Sequence, residues 1–313
     1  MKIVLLDGEA LNPGDLSWGP LEELGELTVY PQGTTDTEEV IRRIGDAEIV
    51  LTNKTVVGRS VFERCQGLKL LCVVATGYNV VDTQAAKEHG VAVCNVPAYG
   101  TEMVAQFAIG LLLEICHHVQ LHNESVHAGE WESCPNFCYW KMPIMELAGK
   151  TMGIIGFGRI GQTVGSFGKA LGMKVLAYDL FPVPCLEEQL GVQYVSMEEL
   201  LQQSDFISVH APAADGQPII RAETLAQMKD GVVLINTSRG SNVDEDALLE
   251  ALNSGKVWAA GLDVYRQEPS PNHDLYSHPR VSATPHIGAQ TNEAQSRVGQ
   301  EIVDVLCAFF EQN

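Results

Sequence analysis

Short apolar runs alternate with amphipathic stretches along the whole of this chain. In its first third, four runs have the length and the aliphatic content of buried strands; they cover residues 2–6, 48–52, 68–74 and 91–96. Stretches with helical spacing, such as residues 37–45 and 82–90, separate these runs. This alternation is typical of parallel βαβ units.

A second series of the same kind begins at Met152. It continues through five further apolar runs, at residues 174–179, 206–210, 232–238, 258–264 and 281–286. Because 313 residues exceed what one hydrophobic core usually holds, the two series predict two domains. The expected fold class is α/β, with two Rossmann-like or flavodoxin-like domains, parallel sheets and an active-site cleft between the domains.

Two long helices are expected to link the domains. The apolar stretch at residues 104–115 predicts a buried helix that starts near Gly100 and leads into the second series. It falls short of the roughly 20 apolar residues that span a bilayer. Residues 292–310 predict a last helix that returns to the first domain.

The turn that opens the second series carries the most specific motif of the chain. Gly156 permits the tight bend, Gly158 lets a pyrophosphate reach main-chain N–H groups, and Gly161 lets the following helix pack on its strand. The N-terminus of that helix favours an anion. Asp179 ends the next predicted strand, 18 residues after Gly161, where a carboxylate can accept hydrogen bonds from an adenosine ribose.

Glycines also cluster in ordinary turns, and the surroundings of this turn decide between the two interpretations. A strand precedes it, a helix over residues 159–171 follows it, and Asp179 stands at the expected offset, which favours a dinucleotide site. A carboxylate there would repel a 2′-phosphate, so the predicted cofactor is NAD and not NADP.

The glycine turn opens the second series of strands and not the first. We therefore expect a substrate domain of residues 1–98 with 287–313, and an NAD-binding domain of residues 99–286.

Composition narrows the range of partners and of compartments. The formal net charge of −20 disfavours nucleic acid and anionic membranes, because either partner needs a basic patch. Eight irregularly spaced cysteines are typical of reduced thiols, so we expect a cytoplasmic protein. Cys134 and Cys138 do not have C-x-x-C spacing, and His118 and His122, one helical turn apart, lack the Glu of an H-E-x-x-H motif. No metal site is therefore expected.

Three residues with suitable chemistry follow predicted strands of the second series: Arg239, Glu268 and His286. Hydride transfer to a 2-keto acid needs a cation for the carboxylate and an acid for the carbonyl oxygen. The planar fork of Arg239 suits the first task, and the imidazole of His286 suits the second. Glu268 would accept the other ring N–H of His286 and favour the protonated ring. For each residue taken singly, the alternative is a surface ion pair for Arg239, an ordinary loop histidine for His286 and a turn residue without a catalytic role for Glu268.

Several long stretches, in order and in spacing, resemble the D-isomer-specific 2-hydroxyacid dehydrogenases over nearly the whole chain. They are VATGYNVVD, NVPAYGTEMVAQ, GFGRIG, INTSRGSNVDEDALLEAL, AGLDVYRQEP and TPHIGAQT. The resemblance implies that Arg239, Glu268 and His286 form the catalytic set, with His286 as the proton donor during reduction. It also implies that backbone N–H groups at Thr76 and Gly77 bind the substrate carboxylate.

Further cofactor contacts and a quaternary structure follow from the same resemblance. Besides the glycines and Asp179, the implied NAD contacts are Arg159, Ile160, His210, Ala211, Pro212, Thr237, Ser238, Asp263, His286 and Gly288. Members of the family are commonly homodimers joined through their cofactor domains, which would bury the helix at residues 104–115.

Within the family, TNKTVV, VPAYGTEMVAQ, HAGEWESCPNFCYW and ELAGKTMGIIGFGRIG most resemble glycerate dehydrogenases, also called hydroxypyruvate reductases. The expected activity is therefore NAD-dependent interconversion of a small 2-keto acid, hydroxypyruvate or glyoxylate, and its D-2-hydroxy acid. Phosphoglycerate dehydrogenase and D-lactate dehydrogenase are the alternatives within the family. An NAD-sensing, corepressor-like binding protein is the alternative from another functional class, because such proteins share the fold and the three catalytic residues.

Overall fold

The structure is a computed structural model, and it describes residues 1–12, 14, 16–213 and 216–312. The chain divides into two compact units, Met1–Gly100 with Ala289–Asn313, and Thr101–Gly288. Both divisions fall two residues later than the domain boundaries drawn from the sequence.

The elements alternate along the chain as the hydrophobic pattern indicates. In the described residues, the strands are β1 (Lys2–Leu5), β2 (Glu26–Val29), β3 (Ile49–Thr52), β4 (Leu70–Val73), β5 (Ala92–Asn95), β6 (Thr151–Ile155), β7 (Lys174–Tyr178), β8 (Gln193–Tyr194), β9 (Phe206–Val209), β10 (Val232–Asn236), β11 (Val257–Leu262) and β12 (Val281–Ala283). The helices are α1 (Gly19–Glu22), α2 (Thr37–Ile44), α3 (Arg59–Arg64), α4 (Thr83–Glu88), α5 (Thr101–His117), α6 (Val119–His127), α7 (Arg159–Ala170), α8 (Cys185–Leu190), α9 (Met197–Gln203), α10 (Ala222–Gln227), α11 (Glu245–Ser254), α12 (His273–Tyr276) and α13 (Asn292–Gln312).

A parallel sheet of order β2-β1-β3-β4-β5 forms the centre of the first unit. The three central strands, β1, β3 and β4, are buried. A cluster that includes Val40, Val61 and Ala85 covers one face of the sheet. The last helix contributes Val298 and Ile302 to the cluster on the other face, so α13 belongs to this unit as the sequence predicts. The sequence pattern missed the edge strand β2, because its residues are only partly buried and their hydrophobic signal is weak.

The carboxylate of Asp7, just after β1, holds the loop that follows β3. Asp7 is 2% exposed and accepts hydrogen bonds from the backbone N–H groups of Asn53 (2.8 Å), Lys54 (2.6 Å) and Thr55 (2.7 Å). The hydroxyl of Thr55 donates a fourth bond at 2.9 Å. Three consecutive amides thus converge on one buried acid, and the loop takes its shape from that residue.

Replacing Asp7 by asparagine is expected to lower the free energy of unfolding by about 2–4 kcal/mol, because an amide NH₂ would face buried N–H donors. Urea unfolding followed by circular dichroism measures this loss. Asp46→Asn is the matched control, since Asp46 is an exposed carboxylate of the same unit that pairs with Lys2; it should stay near wild type. Equal losses in the two variants would contradict the role of Asp7.

The second unit contains a parallel sheet of order β12-β11-β10-β9-β6-β7-β8. The strand order reverses between β6 and β9, which is the switch point where open α/β sheets bind ligands beyond the carboxyl ends of their strands. The glycine turn follows β6 at this point. The short strand β8 was not predicted, because two residues give no periodic signal.

Helix α5 packs onto this sheet within its own unit. The buried residues of α5 include Ala105, Ala108, Leu112 and Ile115. The helix lies close to β11, since a Cβ added at Gly261 would be only 3.1 Å from the Cβ of Leu111. In the described part of the chain, no single helix is long and apolar enough to cross a membrane. The bent pair α5 and α6, with 57° between them, passes that test by length and composition only.

Candidate active site

The glycine turn after β6 is built as its sequence predicts. Gly156 has a φ of +91°, and a Cβ there would lie 2.5 Å from the backbone nitrogen of Ala211. Gly158 precedes α7, and a Cβ on it would meet nothing within 4 Å, so open space lies in front of the turn. A Cβ at Gly161 would come within 2.3 Å of the Gly156 carbonyl oxygen. The first and third glycines therefore allow close packing, and the second leaves room for a ligand.

Asp179 joins the end of β7 to this turn. Its Oδ2 accepts a hydrogen bond from the backbone N–H of Phe157 at 2.7 Å, and its Oδ1 accepts one from Phe181 at 2.9 Å. The side chain is only partly buried. The carboxylate thus stands at the edge of the turn with lone pairs that can also accept bonds from a ribose.

The ends of β9 and β10 present two buried polar atoms that have no hydrogen-bond partner among the described residues: Nδ1 of His210 and Oγ1 of Thr237. Nε2 of His210 lies 2.8 Å from the hydroxyl of Ser208. Burial lowers the pKa of His210 to about 4, so this ring is neutral near pH 7. Buried polar groups are nearly always paired, and a bound nucleotide would supply partners here.

A buried polar network shapes the turn that carries Arg239. Asn236 donates to the carbonyl oxygen of Arg239 at 2.9 Å, and its Oδ1 accepts from the hydroxyl of Ser238 at 2.7 Å. Asn242 donates to that hydroxyl at 3.0 Å and to the carbonyl oxygen of Ala211 at 3.0 Å. The predicted cofactor contact Ser238 therefore has its hydroxyl engaged inside the turn.

Gly240 brings the Arg239 turn against the segment that leads to Glu268. A Cβ at Gly240 would lie 1.9 Å from the carbonyl carbon and oxygen of Tyr265, so the two backbones are in direct contact. Nη1 of Arg239 donates to the carbonyl oxygen of Ser238 at 2.7 Å. Only a residue without a side chain allows this approach.

Glu268 and His286 form a hydrogen-bonded pair. Nδ1 of His286 lies 2.6 Å from Oε2 of Glu268, and Oε1 of Glu268 accepts from the backbone N–H of Tyr265 at 3.0 Å. The two side chains are 31% and 34% exposed, so a substrate can reach them. Because Nδ1–H is donated to the carboxylate, proton transfer to a substrate would involve the other ring nitrogen, Nε2. His286 has a φ of +56°, a conformation that is uncommon for a residue with a side chain and is often found at functional sites.

Asp263 holds the loop on both sides of His286. Its buried carboxylate accepts from the hydroxyl of Thr284 (2.7 Å) and from the backbone N–H groups of Ile287 (2.8 Å) and Gly288 (2.8 Å). Asp263 and Gly288, two cofactor contacts implied by resemblance, are thus bonded to each other. In this structure they set the position of the histidine loop.

Sequence reasoning missed the buried acid Glu245 and the two asparagines of the Arg239 turn. Glu245, Asn236 and Asn242 are 4%, 0% and 0% exposed. No local signal separates Glu245 from its exposed neighbour Asp246, because both are carboxylates of the same motif, INTSRGSNVDEDAL.

Thr76 and Gly77 lie in the first unit, after β4. The carbonyl oxygen of Thr76 accepts from Asn95 at 2.7 Å, and its hydroxyl donates to the carbonyl oxygen of Val96 at 3.2 Å. The loop is thereby tied to the end of β5. Arg159 and Ile160 lie at the start of α7, directly after Gly158. Pro212 lies in the loop after β9. Among the described side chains, no group of three or more potential metal ligands comes together.

The sequence model of the D-isomer specific 2-hydroxyacid dehydrogenase family, NAD binding domain, matches residues 109–288. That range is more than half of the chain and contains the glycine turn, Arg239, Glu268 and His286. The chain belongs to this family. It is accordingly an NAD-dependent oxidoreductase, which confirms the enzyme class, the cofactor and the α/β fold expected from the sequence.

Full-length relatives of this dehydrogenase carry the activities that the motifs suggest. It is 53% identical to a hydroxypyruvate reductase of Blautia hydrogenotrophica over 99% of this chain and 97% of that protein. It is 37% identical to a glycerate dehydrogenase of Methylorubrum extorquens over 98% and 96%. Among solved structures, a D-lactate dehydrogenase from Aquifex aeolicus complexed with NAD and lactic acid superposes with a TM-score of 0.85 at 29% identity, over 100% and 96% of the two chains.

Proposed function

We propose that this dehydrogenase reduces hydroxypyruvate or glyoxylate to the D-2-hydroxy acid with NADH. The observation that carries the proposal is the 2.6 Å contact between His286 and Glu268, in the same unit as the Arg239 turn. The names of two relatives support the substrate class. The relative that is matched over 97% of its length is a hydroxypyruvate reductase, and the relative that is matched over 96% of its length is a glycerate dehydrogenase.

NAD fits the second unit by the chemistry of the groups that border the glycine turn. The open space at Gly158 suits the pyrophosphate, Asp179 suits the ribose hydroxyls, and the unpaired atoms of His210 and Thr237 offer further hydrogen bonds. The other proposed contacts are Gly156, Arg159, Ile160, Gly161, Ala211, Pro212, Ser238, Asp263, His286 and Gly288. When bound, the reduced nicotinamide supplies the hydride.

Each remaining task in the reduction falls to a side chain or an amide of the protein. Arg239 binds the substrate carboxylate and polarises the carbonyl oxygen, assisted by backbone N–H groups at Thr76 and Gly77. Nε2 of His286 donates a proton to that oxygen as the carbonyl is reduced. Glu268 accepts the hydrogen bond from Nδ1 and so fixes the orientation and tautomer of the ring.

Oxidation of NADH by the purified protein, followed by absorbance, tests the proposal against hydroxypyruvate, glyoxylate, pyruvate and phosphohydroxypyruvate. Turnover should be most efficient with one of the first two. Preference for phosphohydroxypyruvate or pyruvate would instead favour the phosphoglycerate or lactate alternatives. Tight NADH binding without turnover of any of the four would favour the corepressor-like alternative and overturn the proposal.

Replacing Asp179 by alanine is expected to shift the ratio of kcat/KM for NADPH over NADH upward by roughly tenfold or more, because the carboxylate no longer repels the 2′-phosphate. Asp179→Asn should move the ratio in the same direction while keeping an acceptor for Phe157. Glu198→Gln, which removes one exposed charge from α9, controls for net charge. An unchanged ratio in both Asp179 variants would show that another group sets cofactor preference.

The protein is also proposed to be a cytoplasmic homodimer. Large apolar side chains are exposed between residues 119 and 144, with Phe137 at 92%, Trp140 at 68% and Val119 at 62%. Helix α5 is already covered by its own sheet, so the exposed apolar residues that follow it offer the surface for a second copy. The cytoplasmic location is supported by the cysteines, because all eight are free thiols, the form that a reducing compartment maintains. Sedimentation equilibrium should give twice the chain mass, and Trp140→Glu with Phe137→Glu should give the monomer.

A further inference from the structure

The buried carboxylate of Glu245 bridges the two ends of the segment that contains Glu268. Glu245 is 4% exposed. Its Oε1 accepts a hydrogen bond from the backbone N–H of Arg266 at 2.6 Å, and its Oε2 accepts one from Nδ2 of Asn272 at 3.0 Å. Residues 266 and 272 enclose Glu268, so a single side chain holds the segment on both sides of this acid.

The start of α11 explains why a charged group is stable in this buried place. Glu245 is the first residue of the helix, and the positive end of the helix dipole favours a negative charge there. Asp244 caps the helix by accepting from the backbone N–H groups of Asp246 and Ala247. The Glu245 carboxylate is therefore left to bind donors outside the helix, and both of those donors belong to the Glu268 segment.

A second contact fixes the beginning of the same segment. The backbone of Tyr265 touches Gly240, and the N–H of Tyr265 donates to Oε1 of Glu268. The backbone is thus held at residue 265 by close packing and at residues 266 and 272 by Glu245. From this backbone position, Oε2 of Glu268 lies 2.6 Å from Nδ1 of His286.

We propose that Glu245 is a positioning residue for the catalytic pair: through Arg266 and Asn272 it sets the distance and direction from which Glu268 holds His286. The inference rests on the proposed function, in which His286 donates the proton. Glu245 touches neither His286 nor the reacting atoms, so its effect passes through Glu268. Misplacement of a catalytic group by about 1 Å can reduce a rate about a hundredfold.

Glu245→Gln is the informative variant, because an amide can accept from one donor but presents N–H groups to the other. We expect kcat to fall roughly ten- to a hundredfold, with KM and the NADH dissociation constant within about twofold of wild type. Asn272→Ser should act in the same direction, since a serine can still cap α12 but cannot donate as the amide does. Asp246→Asn is the matched control: it is the next residue, it is exposed, and its contact is with the side chain of Arg266.

A double-mutant cycle separates positioning from general destabilisation. In a Glu268→Gln background, Glu245→Gln should lower kcat by no more than about twofold, because the contact through which it acts is already weakened. Equal losses in the two backgrounds, or a loss in Asp246→Asn as large as in Glu245→Gln, would overturn the proposal. If Glu245→Gln does not fold, the same cycle with Asn272→Ser decides.

A spectroscopic measurement makes the outcome independent of turnover. In full-length protein with ¹⁵N-labelled histidine, the strongly downfield Nδ1–H resonance of His286 is identified by its absence from His286→Ala. It should weaken or move in Glu245→Gln and Asn272→Ser and stay in place in Asp246→Asn. A resonance that is unchanged in Glu245→Gln refutes the role of Glu245, whereas full turnover in His286→Ala refutes the proposed function and leaves the geometric result standing.

Discussion

Replacing His286 by alanine is expected to lower kcat about 10²–10⁴-fold while the NADH dissociation constant stays within about twofold. The physical reason is that the carbonyl oxygen gains negative charge as hydride arrives, and Nε2 of His286 is the proposed proton source while Nδ1 is bonded to Glu268. Stopped-flow measurement of NADH oxidation gives kcat, and titration of protein fluorescence gives the dissociation constant. The loss should therefore appear in the chemical step and not in cofactor binding.

His273→Ala provides the control for this prediction. His273 is an exposed histidine of the same unit, stacked edge-on against Tyr276 in α12, and its removal should leave kcat near the wild-type value. His286→Gln extends the comparison, because an amide can hydrogen-bond to the substrate but cannot donate a proton as an acid. Turnover of His286→Ala or His286→Gln near the wild-type rate would contradict the acid role.

Replacing Arg239 by alanine is expected to lower kcat/KM with the keto acid by about 10²–10³-fold. Here both constants should change, because the guanidinium binds the carboxylate in the ground state and polarises the carbonyl in the transition state. Arg239→Lys should recover part of KM and little of kcat, since an ammonium keeps the charge but lacks the planar fork. Steady-state kinetics over a range of substrate concentrations separates the two effects.

Arg59→Ala is the control for Arg239, because Arg59 is an exposed arginine that pairs with Glu88. It should leave kcat/KM unchanged. A second check is the NADH dissociation constant of Arg239→Ala, which should stay within about twofold of wild type. If Arg239→Ala lost NADH binding and substrate turnover in parallel, Arg239 would be a cofactor ligand and the assignment to the substrate would be wrong.

Features with a short-range cause were accessible from the chain alone. The strand β3 is a run of four buried residues, three of them aliphatic, and the helix α7 begins directly after Gly158. Arg239 and His286 could be proposed because each follows a predicted strand of a parallel sheet, and such strands end at one edge. Edge elements with a weak pattern, β2 and β8, were missed because burial on one side or a length of two residues leaves little periodicity.

The buried acids show where that reasoning stops. Asp7 reaches amides 46 to 48 positions away, Glu245 reaches donors 21 and 27 positions away, and Asp263 reaches the loop 21 to 25 positions away. Nothing in their immediate neighbours distinguishes them from exposed carboxylates such as Asp46 or Asp246. Which acid becomes buried and bonded depends on the path of a second loop.

The sequence by itself determined the α/β class, the glycine turn, the family and the three residues proposed for catalysis, because periodicity, backbone freedom and strand ends are local properties. The tertiary structure alone decided the order of the strands, the contact of Gly240 with Tyr265 and the placement of the Glu268–His286 pair. These depend on hydrogen bonds and packing between segments far apart in the chain, which form only when the sheets bring those segments together.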